Sequence, residues 1–482
     1  MPRLSRNLLT TLLLPPIVVG GLLAAAAPAS ANVPVTQVST DPFTDAQAQH
    51  RTEVEPDTFT FGNTIVSAWQ TGRVFGGGSS DIGFATSTNG GATWTQGFLP
   101  GITANVGNGQ CGQASDAAVA FDARHNVWLI SSLGVNCPQG EPVFTSRSTD
   151  GGLTWSNPIL TTGGQTDKNW IVCDNTSTSP FFGNCYTEYD ITNQGNAMRM
   201  RTSSDGGLTW GPARATGDNA SGLGGQPVVR PNGTVLVPFQ SGNSIRSFRS
   251  IDGGASWRST VLVANTQHHA VAGGLRSGGI LPSAEIDSAG TAYVVWSDCR
   301  FRSGCPRNDI VMSKSTSETT WGAPTRVPID ATTSTVEHFV PGIGVDRTTS
   351  GGSARIGLTY YFYSNSNCTA ATCQLFAGFI SSTNGGASWS TATQLAGPMT
   401  LSWLPNTSQG RMFGDYISTS VRPAANAFPI LALASAPTGS TFNQAMFVPT
   451  GGLAITGGAI RATNAPVDVQ ANSLATSATT AF

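Results

Sequence analysis

The sequence predicts an all-β fold, a β-propeller built from four-stranded blades. An eight-residue phrase with the pattern Ser-x-Asp/Asn-Gly-Gly-x-Thr/Ser-Trp occurs five times along the chain. Each period starts with a polar residue, passes through two short apolar stretches, and reaches the phrase through a third. A unit that recurs at a near-regular period is typical of repeat folds, and four strands per unit is the composition of a propeller blade.

The phrase itself predicts a tight hairpin turn. Its Asp or Asn can hydrogen-bond the backbone just downstream, and the two glycines adopt positive φ without a Cβ clash. The closing Trp starts the next strand, and burying about 200 Å² of its ring is worth up to ~5 kcal/mol. We therefore interpret these residues as architectural rather than catalytic. The complete copies span 87–94, 148–155, 203–210, 250–257 and 382–389, and a shorter copy without glycines ends at Trp321.

The periods set the number of blades. Six are visible, at 54–100, 113–160, 165–215, 224–265, 281–328 and 338–398. Three further apolar stretches follow Asp415, and Val35–Ser39 can supply a fourth strand to them. We therefore predict seven blades within residues 32–450, joined by pairing of the N-terminal strand with the last blade. Six blades, with 411–450 as an appended piece, is the alternative, and 451–482 is expected to be a peripheral tail.

The N-terminus and the composition indicate an extracellular protein. Residues 1–31 combine a basic start, an apolar run and an Ala-x-Ala site, which is the pattern of a secretory signal peptide. No second stretch is apolar and long enough to cross a membrane. Charged residues make up 11% of the chain and the net charge is −2, so nothing favours nucleic acid or an anionic membrane as a partner. We expect a monomer.

The eight cysteines fall into close sequential pairs. In a secreted chain this predicts four local disulfides, although sequence alone does not fix their connectivity. A metal site would call for Cys-x-x-Cys or Cys/His clusters, and His268 and His269 point to opposite faces if they lie on a strand. We therefore predict neither a metal nor another cofactor. The pairs are Cys111/Cys137, Cys173/Cys185, Cys299/Cys305 and Cys368/Cys373.

Candidate site residues stand where the innermost strand of each period starts. In a propeller these strands line the central channel, and carboxylates that converge there would have raised pKa values suited to acid–base work. The alternative is that each residue caps its strand or bonds a neighbouring blade. Glu53 and Glu55 lie just before the first of them. The candidates are Asp57, Asp116, Asp167, Gln226, Glu285, His338, Asp415 and Tyr416.

The repeated phrase resembles the Asp-box, or BNR, repeat of sialidases and related β-propellers. That resemblance implies a Tyr nucleophile assisted by a Glu, an Asp acid/base, and three arginines that bind the substrate carboxylate. Asp81 matches the acid/base position, and Tyr416 matches the Tyr, for which Tyr360 and Tyr361 are alternatives. The sequence departs from the pattern where it has no Arg in 53–57, Gln226 in place of the Glu, and Ser241 near the second Arg. Acidic-sugar binding is assigned instead to Arg276, Arg300, Arg302 and Arg411.

Together these features predict a secreted, sialidase-like glycoside hydrolase that acts on extracellular glycans. Exo-sialidase activity is one form of this function, although the arginine triad is not evident. Asp81 is the predicted proton donor, Tyr416 the nucleophile or an orienting group, and the channel acids are Asp57, Asp116, Asp167 and Glu285. A non-catalytic propeller that binds a glycan or a protein is the alternative, and a polysaccharide lyase on the same scaffold is a third reading.

Overall fold

The computed structural model describes residues 32–461. The predicted signal peptide and residues 462–482 of the predicted tail lie outside the described residues. The regular secondary structure of the described part is almost entirely β-strand, and none of its helices is long and apolar enough to span a membrane. Its helical elements are three short 3₁₀ helices, Thr192–Gln194, Gly351–Ser353 and Leu401–Trp403.

The strands are numbered in chain order. The first group is β1 (Val35–Gln37), β2 (Glu53–Phe61), β3 (Thr64–Arg73), β4 (Ser79–Ser87), β5 (Thr95–Phe98), β6 (Gln113–Asp122), β7 (Val127–Val135), β8 (Gly140–Glu141), β9 (Val143–Ser148) and β10 (Ile159–Thr162). The second is β11 (Gly164–Cys173), β12 (Cys185–Ile191), β13 (Ala197–Ser203), β14 (Val228–Val229), β15 (Val235–Ser241), β16 (Ser244–Ser250), β17 (Val261–Asn265), β18 (Ser283–Ile286), β19 (Ala292–Asp298), β20 (Asp309–Ser315) and β21 (Thr325–Arg326). The third is β22 (Glu337–Val345), β23 (Ile356–Tyr363), β24 (Gln374–Ser382), β25 (Ser388–Trp389), β26 (Thr393–Thr400), β27 (Asn406–Thr407), β28 (Gly410–Arg411), β29 (Thr419–Val421), β30 (Ala427–Pro429), β31 (Leu431–Ala434), β32 (Gln444–Pro449) and β33 (Ile460–Arg461).

The sheets form a β-propeller, but the predicted blade count is wrong. Among the described residues there are five sheets of four or more strands, one of eight and four of four, rather than seven or six blades. The first two predicted blades share the eight-stranded sheet, because Ser79 of β4 pairs with Ala114 of β6. The last predicted blade is divided into a two-stranded sheet, β29–β30, and a three-stranded sheet, β1–β32–β31, with the break at Ile430.

The innermost strands nevertheless contact one another in a closed circle. In order, β2, β6, β11, β14, β18, β22 and β29 each contact the next, and β29 contacts β2. The predicted pairing of the N-terminal strand is confirmed, since Val35 lies opposite Pro449 and Gln37 opposite Phe447. This pairing fastens the beginning of the described chain to its last long strand. Beyond it, β33 pairs with β25 in a separate two-stranded sheet.

The repeated phrase forms the predicted turn in all five complete copies. In the second copy the Ser148 hydroxyl oxygen accepts from the backbone N–H of Gly152 at 2.8 Å. Asp150 Oδ1 accepts from the backbone N–H of Leu153 and Thr154 at 3.1 and 3.0 Å. The equivalent Ser-to-Gly bonds measure 2.8 or 2.9 Å in the other copies, and both glycines of every copy have positive φ. The Asp and Asn residues are therefore occupied in holding turns.

Three of the five closing tryptophans are buried, whereas Trp94 and Trp210 are only partly buried. Trp389 is fully buried, and Trp155 and Trp257 are also buried. The Trp155 ring lies 5.8 Å from Phe84, and the Trp257 ring lies 6.2 Å from Tyr186 of the preceding sheet. The first edge-on contact lies within the eight-stranded sheet, and the second adds specific geometry to the apolar burial that joins one sheet to the next.

All four predicted disulfides are formed. They join Cys111 to Cys137, Cys173 to Cys185, Cys299 to Cys305, and Cys368 to Cys373. No cysteine in residues 32–461 is free. Three of the bridges join cysteines 12 or fewer residues apart, and the Cys111–Cys137 bridge joins the two open ends of the β6–β7 hairpin.

Candidate functional site

A repeated backbone irregularity places the first functional side chains. The register shifts in β2, β6 and β11 at equivalent points, between Val54 and Asp57 in β2. The first residue of each bulge has positive φ: 57° at Glu55, 45° at Asp116 and 50° at Lys168. Bulges re-aim side chains and are common beside active sites, and positive φ is strained for residues other than glycine. The three bulges direct three charged side chains to one point.

Lys168 stands at the centre of this cluster. Its Nζ lies 3.1 Å from Asp415 Oδ2, 3.4 Å from Asp116 Oδ1 and 3.5 Å from Glu55 Oε1. Arg276 reaches the same Asp415 carboxylate, with Nη2 2.9 Å from Oδ2. The cluster therefore combines two carboxylates of the eight-stranded sheet and one from the segment before β29 with two cations, at the end of the channel where the inner strands start.

Tyr416 completes the cluster. Its hydroxyl lies 3.4 Å from Asp116 Oδ1, and its ring lies 5.6 Å from Lys168 Nζ. The Trp170 ring contacts it edge-on at 5.1 Å. A phenol with a carboxylate within reach has the arrangement that a tyrosine nucleophile or proton donor requires.

Burial and the two cations shift the pKa values of the carboxyl groups in opposite directions. Burial raises the pKa of Glu55 to about 6, even though Lys168 opposes the shift. Burial alone would raise the pKa of Asp415 as well, but Lys168 and Arg276 hold it below its ordinary value. One carboxyl group thus exchanges its proton near pH 6, while another stays ionised. Groups whose pKa values are pushed apart in this way suit acid and base roles.

Further acids surround the cluster on β11 and β12. Asp167 and Asp190 are cross-strand partners, and Glu188 lies opposite Trp170. Burial, and then the charge of Asp167, raise the pKa of Asp190 to about 8. Burial also raises the pKa of Asp167 and of Glu188. This end of the channel therefore holds more carboxyl groups than cations.

The remaining predicted acids lie elsewhere. Asp57 is buried farther along the channel, where its Oδ2 accepts from the backbone N–H of Val119 at 2.6 Å. Asp81 is fully buried in β4 and accepts from the Thr103 hydroxyl at 2.7 Å, away from Lys168. Glu285 lies at the far end of the channel, paired with Arg347.

Two predicted polar residues hold neighbouring strands. Gln226 Oε1 accepts from the backbone N–H of Ala284 at 2.9 Å, which ties β14 to β18.

His338 is buried with Asp309 and Asp330, and the three offer one ligand atom each within 4.8 Å of one another. Arg302 Nη2 lies 2.7 Å from Asp309 Oδ1, and Arg326 Nη2 lies 2.8 Å from it. These guanidinium groups already balance the carboxylates that a cation would need, so we interpret the group as a buried ion-pair network.

Of the four predicted substrate-binding arginines, only Arg276 reaches the cluster. Arg302 belongs to the network just described, and Arg300 pairs with Asp298, Nη2 to Oδ2 at 2.6 Å. Arg411 is half-buried and donates from Nη1 to the Leu404 carbonyl at 2.7 Å. Its own backbone carbonyl accepts from Arg276 N–H at 2.8 Å, so β28 supports the loop that carries Arg276.

A second polar pair lies at the same end of the channel. His269 Nδ1 is 2.7 Å from Glu337 Oε1, and Asn308 Nδ2 donates to the same oxygen at 3.1 Å. Glu337 is fully buried at the start of β22, while His269 is partly exposed. The arrangement orients the imidazole toward solvent.

Sequence reasoning missed Lys168, Glu188 and Asp190, and it named Glu55 only as a neighbour of Asp57. A usable signal existed for Glu55, because it is separated from Asp116 by the same 61 residues that separate Trp94 from Trp155. Lys168 carries no such signal, because the next period is shorter.

The comparison with curated proteins gives one relative, a sialidase of Bacteroides fragilis (strain YCH46). It is 28% identical over 160 residues, which is 27% of this chain and 28% of that sialidase. The chain therefore matches little more than a quarter of its relative's length. The profile of the BNR repeat-like domain matches residues 63–283. Residues 63–283 therefore contain a BNR repeat-like domain, and the predicted resemblance to the sialidase-like BNR-repeat family is confirmed.

Solved structures similar to this chain include sialidases and other proteins. A protein of unknown function from Dyadobacter fermentans has a TM-score of 0.44 at 16% identity, covering 72% of this chain and 98% of that one. The NanB sialidase of Streptococcus pneumoniae has a TM-score of 0.44 at 11% identity, and the match covers 86% of this chain and 70% of that one. A polysaccharide lyase, PL25 ulvan lyase, has a TM-score of 0.49 at 10% identity, and the match covers 89% of this chain and 96% of that one.

Proposed function

We propose that this protein is a glycoside hydrolase that acts outside the cell on glycans built from neutral or amino sugars. The observation that carries the proposal is the Tyr416 hydroxyl at 3.4 Å from Asp116 Oδ1, in a cluster that also contains a protonatable Glu55. A Tyr nucleophile assisted by a carboxylate is an established exception to the two-carboxylate pattern of glycosidases.

In the proposed reaction, Asp116 removes the proton of Tyr416 as the phenol oxygen attacks the anomeric carbon. Protonated Glu55 gives its proton to the departing glycosidic oxygen. Water, deprotonated by Glu55, then attacks the anomeric carbon and releases Tyr416, which recovers its proton from Asp116. Ionised Asp415 stabilises the positive charge that develops on the sugar ring.

The charge balance favours neutral or amino sugars over sialic acid. Arg276 is the one predicted arginine at the cluster, and Asp415 already occupies it. A sialic acid carboxylate would displace Asp415 and would also face Glu55, Asp116 and Asp167. Like charges at such distances are unfavourable, whereas an ammonium group on an amino sugar is attracted.

The cellular setting and the chain division are part of the same proposal. We take residues 1–31 as the secretion signal, 32–450 as the propeller and 451–482 as the tail. Four disulfides suit an oxidising compartment. The partner is a carbohydrate, and the protein acts as a monomer.

The test is hydrolysis of a panel of nitrophenyl glycosides by the mature chain, with neutral, amino and sialic sugars side by side. We expect turnover of a neutral or amino glycoside, and a fall in kcat of about 10²–10⁴ in each of Tyr416→Phe, Asp116→Asn and Glu55→Gln. Glu318→Gln removes an exposed carboxylate and is the matched control. Retained turnover in Tyr416→Phe would refute the assigned nucleophile.

A non-catalytic glycan-binding propeller is the second candidate. It is favoured by the limited space at the cluster, where a cavity of about 10 Å³ lies among Lys168, Trp170, Gln226 and Tyr416. A sugar must therefore bind above the cluster or displace a loop to reach Tyr416. Binding to immobilised glycans without release of reducing sugar, and without loss in Tyr416→Phe, would support this candidate.

A further inference from the structure

We propose that the opposite end of the channel is a second binding site, specific for a neutral pyranose residue of a glycan. The cavity there has a volume of about 520 Å³ and lies where the inner strands end. Glu55 lies near the start of β2 and Phe61 at its end, and six residues of strand separate them by about 20 Å. The proposed site is therefore distinct from the cluster around Lys168 and does not depend on its chemistry.

An ion pair at this site offers donors and acceptors side by side. Arg347 binds Glu285 through two nitrogens, with Nη2 3.0 Å from Oε2 and Nε 3.3 Å from the same oxygen. Both side chains keep solvent contact, at 34% and 18% exposure. Within residues 32–461, Arg347 Nη1 donates to no protein acceptor. A guanidinium group and a carboxylate in one plane can bind two adjacent hydroxyl groups, one as acceptor and one as donor.

Aromatic and apolar side chains supply the other half of a sugar site. Phe61 is 42% exposed, and its ring rests 4.3 Å from that of Phe121. Phe59 lies under the Arg347 guanidinium group at 4.7 Å, which fixes the orientation of the ion pair. Val345 and Val421 complete the wall. Largely apolar walls with a few convergent polar groups are typical of small-ligand sites, and the C–H face of a pyranose suits an exposed ring.

The charges select the class of sugar. Arg347 and Glu285 neutralise each other, so the site gives no net attraction to a uronic or sialic acid. An anionic sugar would also have to approach the Glu285 carboxylate. Neutral hydroxyl groups can use both members of the pair without breaking it.

The test is calorimetric titration of the full mature chain with neutral oligosaccharides of glucose, mannose, xylose and N-acetylglucosamine, beside one of galacturonic acid. We expect one neutral series to bind, and Phe61→Ala to weaken it at least tenfold. Arg347→Lys keeps the charge but removes the planar fork, and is expected to weaken binding to a similar extent. Phe75→Ala, which removes a 51% exposed ring at the other end of the channel, should bind as the unaltered protein does.

The results separate this site from the proposed hydrolysis. Because Phe61 is far from Tyr416, Phe61→Ala should hydrolyse small nitrophenyl glycosides at the unaltered rate, and oligosaccharide binding should persist in Tyr416→Phe. The proposal is overturned if no neutral series binds, if the galacturonic series binds more tightly, or if both pocket variants bind as well as the unaltered chain. Thermal unfolding of each variant verifies that it is folded.

Discussion

Replacing Glu53 with glutamine is expected to stabilise the fold at neutral pH and to flatten its pH dependence. Glu53 is fully buried at the start of β2, where it joins the two ends of the described chain. Its Oε2 accepts from the Ser39 hydroxyl and, at 2.8 Å, from the backbone N–H of Met446. Its Oε1 has no hydrogen-bond partner within residues 32–461. Burial raises the pKa of Glu53 from 4.5 to about 8.

The sign of the effect follows from proton binding. Between pH 4.5 and about 8 the folded state holds a proton on Glu53 that the unfolded state has released. The free energy of unfolding therefore falls as pH rises, by about 1.4 kcal/mol per pH unit, which amounts to about 3 kcal/mol at pH 7. Glutamine keeps one oxygen to accept from Met446 and Ser39 but cannot ionise, so it escapes this loss.

The assay is guanidinium-induced unfolding followed by tryptophan fluorescence, with disulfides intact, at intervals from pH 5 to pH 8. The difference in unfolding free energy between Glu53→Gln and the unaltered chain should widen by about 1.4 kcal/mol for each pH unit. Asp57 and Asp81, whose pKa values burial raises to about 7, are present in both proteins and cancel. Glu318→Gln, at an exposed position, should track the unaltered chain. Parallel curves for Glu53→Gln would refute the reasoning.

Three further outcomes are expected. Trp389→Ala should lower the free energy of unfolding by about 3–5 kcal/mol, and Trp94→Ala should lower it by less because the Trp94 ring is only partly buried. Thermal unfolding of the two variants measures the difference, and equal losses would contradict the packing argument. If Glu55 is the acid, kcat/KM should decline above about pH 6, where the group loses its proton, and a profile flat across pH 5–8 would exclude this role. Lys168→Met should move that decline to higher pH, since Lys168 holds the pKa of Glu55 down, whereas a shift to lower pH would contradict the charge assignment.

The parts of the fold that local chemistry determines could be predicted from the sequence. The turn at Asp150 is held by bonds that span four residues or fewer, and each disulfide joins cysteines that are neighbours in the sequence. Blade boundaries are different, because they depend on whether edges of consecutive sheets meet. One pair, Ser79 with Ala114, merges two predicted blades into a single sheet, and no residue pattern announces it.

The candidate site could be predicted only in part, because it also depends on backbone irregularities that the sequence does not reveal. Asp116, Asp415 and Tyr416 converge as expected, because they stand where inner strands start. Asp57 does not join them. The bulge in β2 adds residues at Glu55 and so directs Glu55 rather than Asp57 to the cluster. A shift of one residue in a strand reverses the face of every side chain, and bulges are not visible in apolar–polar alternation.

A comparison of the bulges shows that the propeller requires the backbone conformation, whereas the charged side chains are specific to the cluster. A fourth inner strand, β22, has the same irregularity, and its positive-φ residue is Val340, with φ 47°. Positive φ is more unfavourable for a β-branched residue than for most others, so the backbone conformation is imposed by the fold and does not require a charged side chain. An apolar residue occupies the bulge in β22. In the three strands that meet at Tyr416, the equivalent positions are occupied by Glu55, Asp116 and Lys168. Burying three charges costs free energy that valine would not. Because the bulge itself does not require a charge, their presence supports the function that we propose for the cluster.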